Sequence, residues 1–469
     1  MAPHLLHGNS SLPSRKPILP TKQHYLRVKS LLKSEYTSSI IYMKGKPELT
    51  RDNTDIELEF RQESYFFYLT GVEEPNFQVV VDLEKDEIYL ITPDVSVNDV
   101  FWKGPIANKR ELMERYDVDK VISESDLPQL IQTLAPEIIF VLDNKMHYMH
   151  ALELIASSSI RSRIDTQLLL PAMDEARLIK FSWEIDIIRQ VMHASSQAHI
   201  ALMQQFQPGM TEAHLAAVFR WNCALNQVYR QAYLPIVASG SRAATLHHSP
   251  KNDQHIINDP HSLVLVDAGG EKLCYGSDIT RTFPVQGVFS DEAKAIYSIV
   301  LKMQQVVLSK LRPGIYWQNM QQLATEVLCK ELVRLGILVG DINVLMEQSV
   351  PCAFYFHGLG HALGLDVHDV GGKETSKDDP TESQFLLDRP LEKNMVITIE
   401  PGLYFNDYML DIWTQCPGYQ CFFNMEILDQ YRHIGGVRIE DTVVITEDGH
   451  ENLTIVPKEI DEIEALMMK

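Results

Sequence analysis

Four carboxylates and one imidazole stand out in this chain: Asp267, Asp278, Glu400, Glu440 and His361. They fall in the blocks VDAGG…SDITRTFP, HGLGHALGLDVHD, ITIEPGLYF and GGVRIEDT. Such a set is the inventory of a two-metal hydrolase. Two divalent ions about 3.5–4 Å apart share carboxylate oxygens, and each takes a terminal ligand or two. Taken singly, some of these residues have plainer readings. Asp267, in Asp-Ala-Gly-Gly, serves equally well as a strand-end turn. Asp278 and Glu440 are harder to dismiss. Glu440 follows Val437, Arg438 and Ile439 in a β-like run, where a buried carboxylate must be compensated by cations.

The block HGLGHALGLDVHD adds His357 and His368 to His361. The spacing of the first two resembles that of metal-binding helices, but Gly358 and Gly360 between them oppose a regular helix. Not all three histidines need be ligands. The others can shuttle protons or donate to an oxyanion, because imidazole titrates near working pH.

The surrounding pattern divides the chain. Over residues 39–170, SIIYMKG, FQVVVDL, EIYLITP and EIIFVL read as strands, while KRELMERYDV and residues 150–156 read as helices, which makes an α/β domain. From about residue 174 the texture changes to long amphipathic helices, with one expected over residues 185–206. An internal echo follows. QPGMTEAHLAAVFRWNCAL and RPGIYWQNMQQLATEVLCKEL both read helix, Pro-Gly turn, helix. Downstream of each comes an apolar strand ending in an acid (Asp267, Glu400), then a second acid-bearing strand (Asp278, Glu440). Either the unit is duplicated around a pseudo-two-fold site, or two helix pairs resemble each other by chance.

At 469 residues, 45% hydrophobic and 22% charged, the chain can bury a sizeable core. Its net charge of −21 excludes the basic footprint of a nucleic-acid partner. No apolar run reaches membrane-spanning length. The six cysteines lack zinc-site spacing and read as free thiols, which suits a cytoplasmic location. Residues 1–34 carry six basic side chains and no acid; they read as a flexible tail over 1–24 that leads into a helix, with a mitochondrial presequence as the alternative.

These blocks, with FRQESYFFYLTGVEEP around Arg61 and NMEILDQYRHIGGVRIEDTVVITEDG near the end, closely resemble the pita-bread metallopeptidases (M24B). The branch is that of prolidase and aminopeptidase P (Xaa-Pro aminopeptidase), fungal members included. The resemblance implies an α/β amino-terminal domain over 25–173 and an α+β pita-bread catalytic domain over 174–469, with pseudo-two-fold symmetry. It implies two divalent metal ions, Mn²⁺ in the family manner, and a proline-containing peptide substrate cut at the X-Pro bond.

The resemblance also assigns roles. Asp267 binds one metal through both oxygens, Asp278 and Glu440 bridge, and His361 and Glu400 complete the second metal. A bridging water acidified by both cations is the nucleophile. Glu400 is also the general base, and His357 and His368 are the catalytic histidines that stabilise the oxyanion. His247, His368 and Arg438 contact substrate, while Tyr233 and Thr280 hydrogen-bond ligand carboxylates. Trp102 matches a Trp that reaches a neighbouring subunit, which implies a homodimer.

Two positions depart from the family. His248 stands where a Tyr is usual. Leu386 stands where dipeptide-restricted members carry an Arg for the substrate carboxylate, with Arg389 nearby. The dipeptidase and aminopeptidase readings therefore both stand. A non-catalytic binding protein on the same fold is the alternative from another class, although such proteins lose metal ligands. Methionine aminopeptidase lacks the amino-terminal domain, and creatinase uses the fold without metals.

Overall fold

The computed structural model describes residues 18–32, 38–249, 255–256, 259, 261–371, 387 and 389–468. Most of the expected tail, and Leu386, lie outside the described residues. The first helix, Lys22–Leu31, starts inside the span expected as tail. The chain forms two compact units, Met1–Ala176 and Arg177–Lys469.

In the first unit one sheet runs in the order β4-β3-β2-β1-β5-β6. Its strands are β1 (Ser39–Lys44), β2 (Gln78–Asp82), β3 (Glu87–Thr92), β4 (Lys120–Ser123), β5 (Ile138–Phe140) and β6 (Arg163–Asp165). β1, β2 and β3 pair antiparallel, whereas β4, β5 and β6 join in parallel. Ile40 and Tyr42 share a core with Val80, Ile91, Ile139 and residues of the helices Leu127–Leu134 and Lys145–Ser158. Ile41, Met43, Val79 and Val81 alternate with them and are also buried. Both faces of the sheet are covered, so its inner strands read as continuous apolar runs. The two strands not expected from sequence, β4 and β6, are the sheet's edges, and exposed Lys120 and Arg163 break their apolar pattern.

The second unit is built twice over. The helix Ser182–Gln205 turns through Pro208-Gly209 into Glu212–Leu225, and Asp291–Leu308 turns through Pro313-Gly314 into Trp317–Arg334. Both turn glycines have positive φ, +92° and +85°. Each helix pair comes with a three-stranded sheet. The first has the order β12-β9-β8; the second, β13-β16-β17. Here β8 is Ile236–Ser239, β9 Leu263–Asp267, β12 Thr280–Pro284, β13 Val396–Ile399, β16 Asp441–Ile445 and β17 His450–Asn452. Antiparallel pairing of β9 with β12 sets Thr280 opposite Asp267. Pairing of β13 with β16 sets Asp441 opposite Ile399. Each sheet thus delivers two acids to one end: Asp267 with Asp278, and Glu400 with Glu440.

Hydrogen bonds join the two halves directly. The Glu440 amide donates to Thr280 O at 3.0 Å, and the Thr442 hydroxyl to Asp278 O at 2.9 Å. Arg281, 1% exposed, donates to Thr280 O and Glu440 O and pairs with Asp441 at 2.8 Å. The long helices brace the acids in matching fashion. From the first, His199 Nε2 donates to Ala268 O at 3.0 Å. From the second, Gln304 Nε2 donates to Ile399 O and Ile439 O, both at 3.1 Å. Arg281→Met should therefore take one of its two cations from Asp441, which keeps Lys458, and remove a donor from the carbonyls of Thr280, Glu440, Val456 and Pro457. The expected loss is about 3 kcal/mol of stability from the buried acceptors that lose a donor, read as a lower thermal midpoint; an unchanged midpoint would show that Arg281 does not help to hold the halves together.

Candidate active site

The ends of β9, β12, β13 and β16 open into a cavity of about 630 Å³ lined by Asp267, Asp278, His361, Glu400 and Glu440. The structure brings all five together. One ligand atom each of Asp278, His361 and Glu440 lies within 4.8 Å of the others. His361 Nε2 is 3.4 Å from both Asp278 Oδ2 and Glu400 Oε1. Its Nδ1 is 3.0 Å from Ala362 O and donates there, so Nε2 faces the acids with its lone pair free. That tautomer is the one a metal ligand needs.

The backbone around His361 explains why glycines flank it. Residues 355–370 form no regular helix. The His361 amide donates to Thr398 Oγ1 at 3.1 Å, and a Cβ on Gly360 would stand 2.1 Å from Thr398 O. Only glycine lets the loop lie this close to β13.

Around the acids the donors are few. Arg438, 4% exposed, gives Nη2 to Asp267 Oδ2 at 2.6 Å, Nε to Thr280 Oγ1 at 3.1 Å and Nη1 to Tyr404 Oη at 2.9 Å. Thr280 passes its own proton to Glu440 Oε2 at 2.8 Å. The Tyr233 hydroxyl is 2.5 Å from both Asp267 Oδ1 and Asp278 Oδ1. Burial, then the charges of Asp267 and Glu400, push Asp278 well above the ordinary carboxylate range. Burial, then Asp278 and Asp267, do the same to Glu440. Glu400 rises to about 8, through burial and the charge of Glu440. A cation-free site therefore holds protons on acids that water would ionise.

The remaining expected residues divide. His357, His368 and His247 line the cavity. His357 Nε2 is 2.9 Å from Tyr404 Oη, and burial with the Arg438 charge lowers its pKa to about 3, so it is neutral. The His368 ring lies 4.3 Å from that of His361. His248, also in the lining, is 2.7 Å from fully buried Glu212, which Arg242 holds at 2.7 Å. Arg389 pairs with Glu392 and is not among the described residues lining the cavity. Trp102, in the first unit, is 73% exposed. Sequence reasoning missed Tyr404, which ties His357 to Arg438. Its position in EPGLYF, four residues after Glu400, was the available signal.

Known proteins share both units. Residues 186–447 match metallopeptidase family M24, and residues 24–139 match the aminopeptidase P N-terminal domain. A probable Xaa-Pro aminopeptidase of Uncinocarpus reesii is 36% identical over 96% of this chain and 95% of its own. One of Penicillium rubens is 35% identical over 96% and 97%. An Escherichia coli aminopeptidase P variant in complex with substrate superposes with a TM-score of 0.81 at 31% identity, over 96% of this chain and 99% of that one. The Zn-substituted E. coli aminopeptidase P in complex with product gives the same values. The chain therefore belongs to metallopeptidase family M24, in its aminopeptidase P branch, and is a metalloexopeptidase of the Xaa-Pro aminopeptidase family.

Proposed function

We propose that the cavity takes two divalent cations, Mn²⁺ first among them, and hydrolyses the X-Pro bond at the amino terminus of short peptides. One observation carries this reading: among the described residues lining the cavity, four acids face a single guanidinium, that of Arg438. Fully ionised, they leave three negative charges in a buried space. Two dications more than neutralise these, and the surplus positive charge favours loss of a proton from water. When bound, such ions supply an acidified water as nucleophile and a Lewis-acid hold on the scissile carbonyl. The oxygen-rich donor set with one imidazole suits Mn²⁺.

In this reading Asp267, Asp278, His361, Glu400 and Glu440 would hold the ions, with Asp278 and Glu440 expected to be shared between them, and Glu400 would also serve as the general base. Tyr233 and Thr280 orient the bridging carboxylates through the bonds given above. His368 would donate to the developing oxyanion; His357, neutral and giving its Nδ1 proton to Gly358 O at 2.8 Å, accepts from Tyr404 instead and would act by holding that hydroxyl, while His247 and Arg438 would hold the substrate near proline. An X-Pro bond is a tertiary amide without N–H. Peptidases that grip that N–H cannot use it, so grip must come from elsewhere.

Peptides longer than dipeptides fit best. The relatives named above are aminopeptidases, and Arg389 pairs with Glu392 and is not among the described residues lining the cavity. A homodimer is also part of the proposal. The helix Val97–Lys103 has no buried residue, and Val97, Phe101 and Trp102 stand 90%, 77% and 73% exposed. If a second copy covers this face, Trp102→Ala should shift sedimentation towards monomer; an unshifted profile removes the face from the interface.

The direct test of function is hydrolysis of Gly-Pro-Pro against Gly-Pro, with Mn²⁺ and after chelation. Tripeptide cleavage that needs metal is expected. Glu440→Gln should lower kcat by about a thousandfold or more, several kcal/mol of metal-borne stabilisation, with metal content reduced and circular dichroism unchanged. Near-normal turnover by this variant would remove the bridging role, and cleavage of Gly-Pro alone would restore the dipeptidase reading.

Metal removal has its own pH signature. The folded, metal-free site keeps protons that the unfolded chain releases above about pH 4.5. The unfolded state then binds fewer protons, so stability falls as pH rises from there, with the Glu400 share lost by about pH 8. The thermal midpoint of chelated protein should drop between about pH 5 and pH 8, and that of metal-loaded protein should not. A flat profile for the chelated protein would mean that the acids are ionised without metal, and the charge argument would fail.

A further inference from the structure

Behind the histidine loop, a second cluster of buried charge has no part in the roles assigned so far. Asp369 follows His368 directly and is 5% exposed. Its Oδ2 accepts from Lys180 Nζ at 2.8 Å and its Oδ1 from Arg177 Nη2 at 2.7 Å. Arg177 also reaches Asp366 Oδ2 at 2.7 Å. Lys180 and Arg177 are themselves 1% and 2% exposed. Burial alone would raise the Asp369 carboxyl, but Lys180 and Arg177 outweigh it and hold the group below its usual range.

An ion pair this deep adds little net stability over well-packed apolar side chains. What it adds is direction. The Asp369 amide donates to Ala362 O at 2.9 Å, and the Gly364 amide to Asp366 O at 3.1 Å. The loop folds so tightly on the carboxylate that a Cβ on Gly364 would lie 2.2 Å from Asp369 Oδ2. Residues 362–369 thus form a closed turn whose two ends carry His361 and His368, with their rings 4.3 Å apart at 66°. The carboxylate at its centre is fixed from a different part of the chain, the segment that enters the helix Ser182–Gln205.

We propose that Lys180, acting through Asp369, is a positioning residue that sets the His368 imidazole at the mouth of the catalytic cavity. The inference rests on the reading of His368 as a substrate-contacting residue. A purely structural pair would change stability and leave His368 indifferent.

A double-mutant cycle on the Mn²⁺-loaded full chain separates these outcomes, using Lys180→Met, His368→Ala and the two combined. Lys180→Met should lower kcat about 10–100-fold with KM changed far less and metal content unchanged. In the His368→Ala background it should have almost no further effect on kcat. The His368 ring signal of imidazole-labelled protein, identified by its loss in His368→Ala, should shift in Lys180→Met with or without metal. If His368→Ala lowers kcat and Lys180→Met multiplies its full factor on top, or leaves the ring signal in place, the positioning role is overturned and the reading of His368 stands. If His368→Ala is near wild type, that reading falls and the inference falls with it. Should Lys180→Met fail to fold, Asp369→Asn runs the same cycle, because it keeps the shape and removes the charge.

Discussion

Keeping four carboxylic acids in one cavity is the free-energy problem around which the catalytic unit is organised. Each loses hydration on burial, and each raises the cost of ionising the next. Among the described residues, the cavity lining offers one guanidinium against them. Other cations lie nearby but are committed elsewhere. Asp441, fully buried, takes Arg281 at 2.8 Å, Lys458 at 2.5 Å and the Asn452 amide at 2.7 Å. Burial would raise Asp441, yet Arg281 and Lys458 hold it below its ordinary range, while Glu440 next to it is pushed far above. Side chains that leave a strand alternately explain how adjacent acids meet opposite fields. One acid is neutralised to fasten the fold, and the other is left in need of a cation.

The duplicated architecture answers the geometric half of the same problem. Acids that repel cannot be left on mobile loops, so each sits at the end of a strand whose pairing is fixed by buried apolar residues. The carbonyls beside them are held by a side chain from the matching long helix, His199 in one half and Gln304 in the other. The His199 imidazole is lowered to about 4 by burial and stays neutral, so it adds a donor without adding charge. Gln304 does the same by nature. A cation at either position would reduce the negative field of the cavity, and an apolar residue would leave the carbonyls unpaired.

Much of this was legible in the sequence. The cavity-facing acids announce themselves because apolar strands seldom end in carboxylates without a reason. The expected strands of the first unit appear because their runs are apolar throughout. The Asp-Ala-Gly-Gly ambiguity had no single answer, since Asp267 both ends β9 and faces the cavity. What sequence could not supply were bonds between distant residues of ordinary type. Arg281 with Asp441 spans 160 residues, and Lys180 with Asp369 spans 189. Neither arginine nor lysine in an amphipathic stretch signals burial. Short strands were less legible: the β-like run around Glu440 divides into Gly436–Arg438 and Asp441–Ile445 in separate sheets, and neither Gly436–Arg438 nor its partner Gly402–Tyr404, three residues each, is long enough to show a period. Their pairing is nevertheless what sets Arg438 opposite Gly402 and close to Tyr404.

The same energetics bear on whether this framework is used for catalysis or only for binding. A binding protein gains nothing from buried acids that destabilise it without cations. Neutral side chains of similar volume would pack as well and remove the repulsion. Here Asp267, Asp278, Glu400 and Glu440 are all retained, along with the Tyr233, Thr280 and Arg438 bonds that orient them and the His361 tautomer that presents a lone pair. Destabilising groups held in register by this much hydrogen bonding are the mark of a site whose strain is used, since the acids are relieved only by the ions they collect. The stability given up in the metal-free state returns as metal affinity, so fold and cofactor are thermodynamically one system.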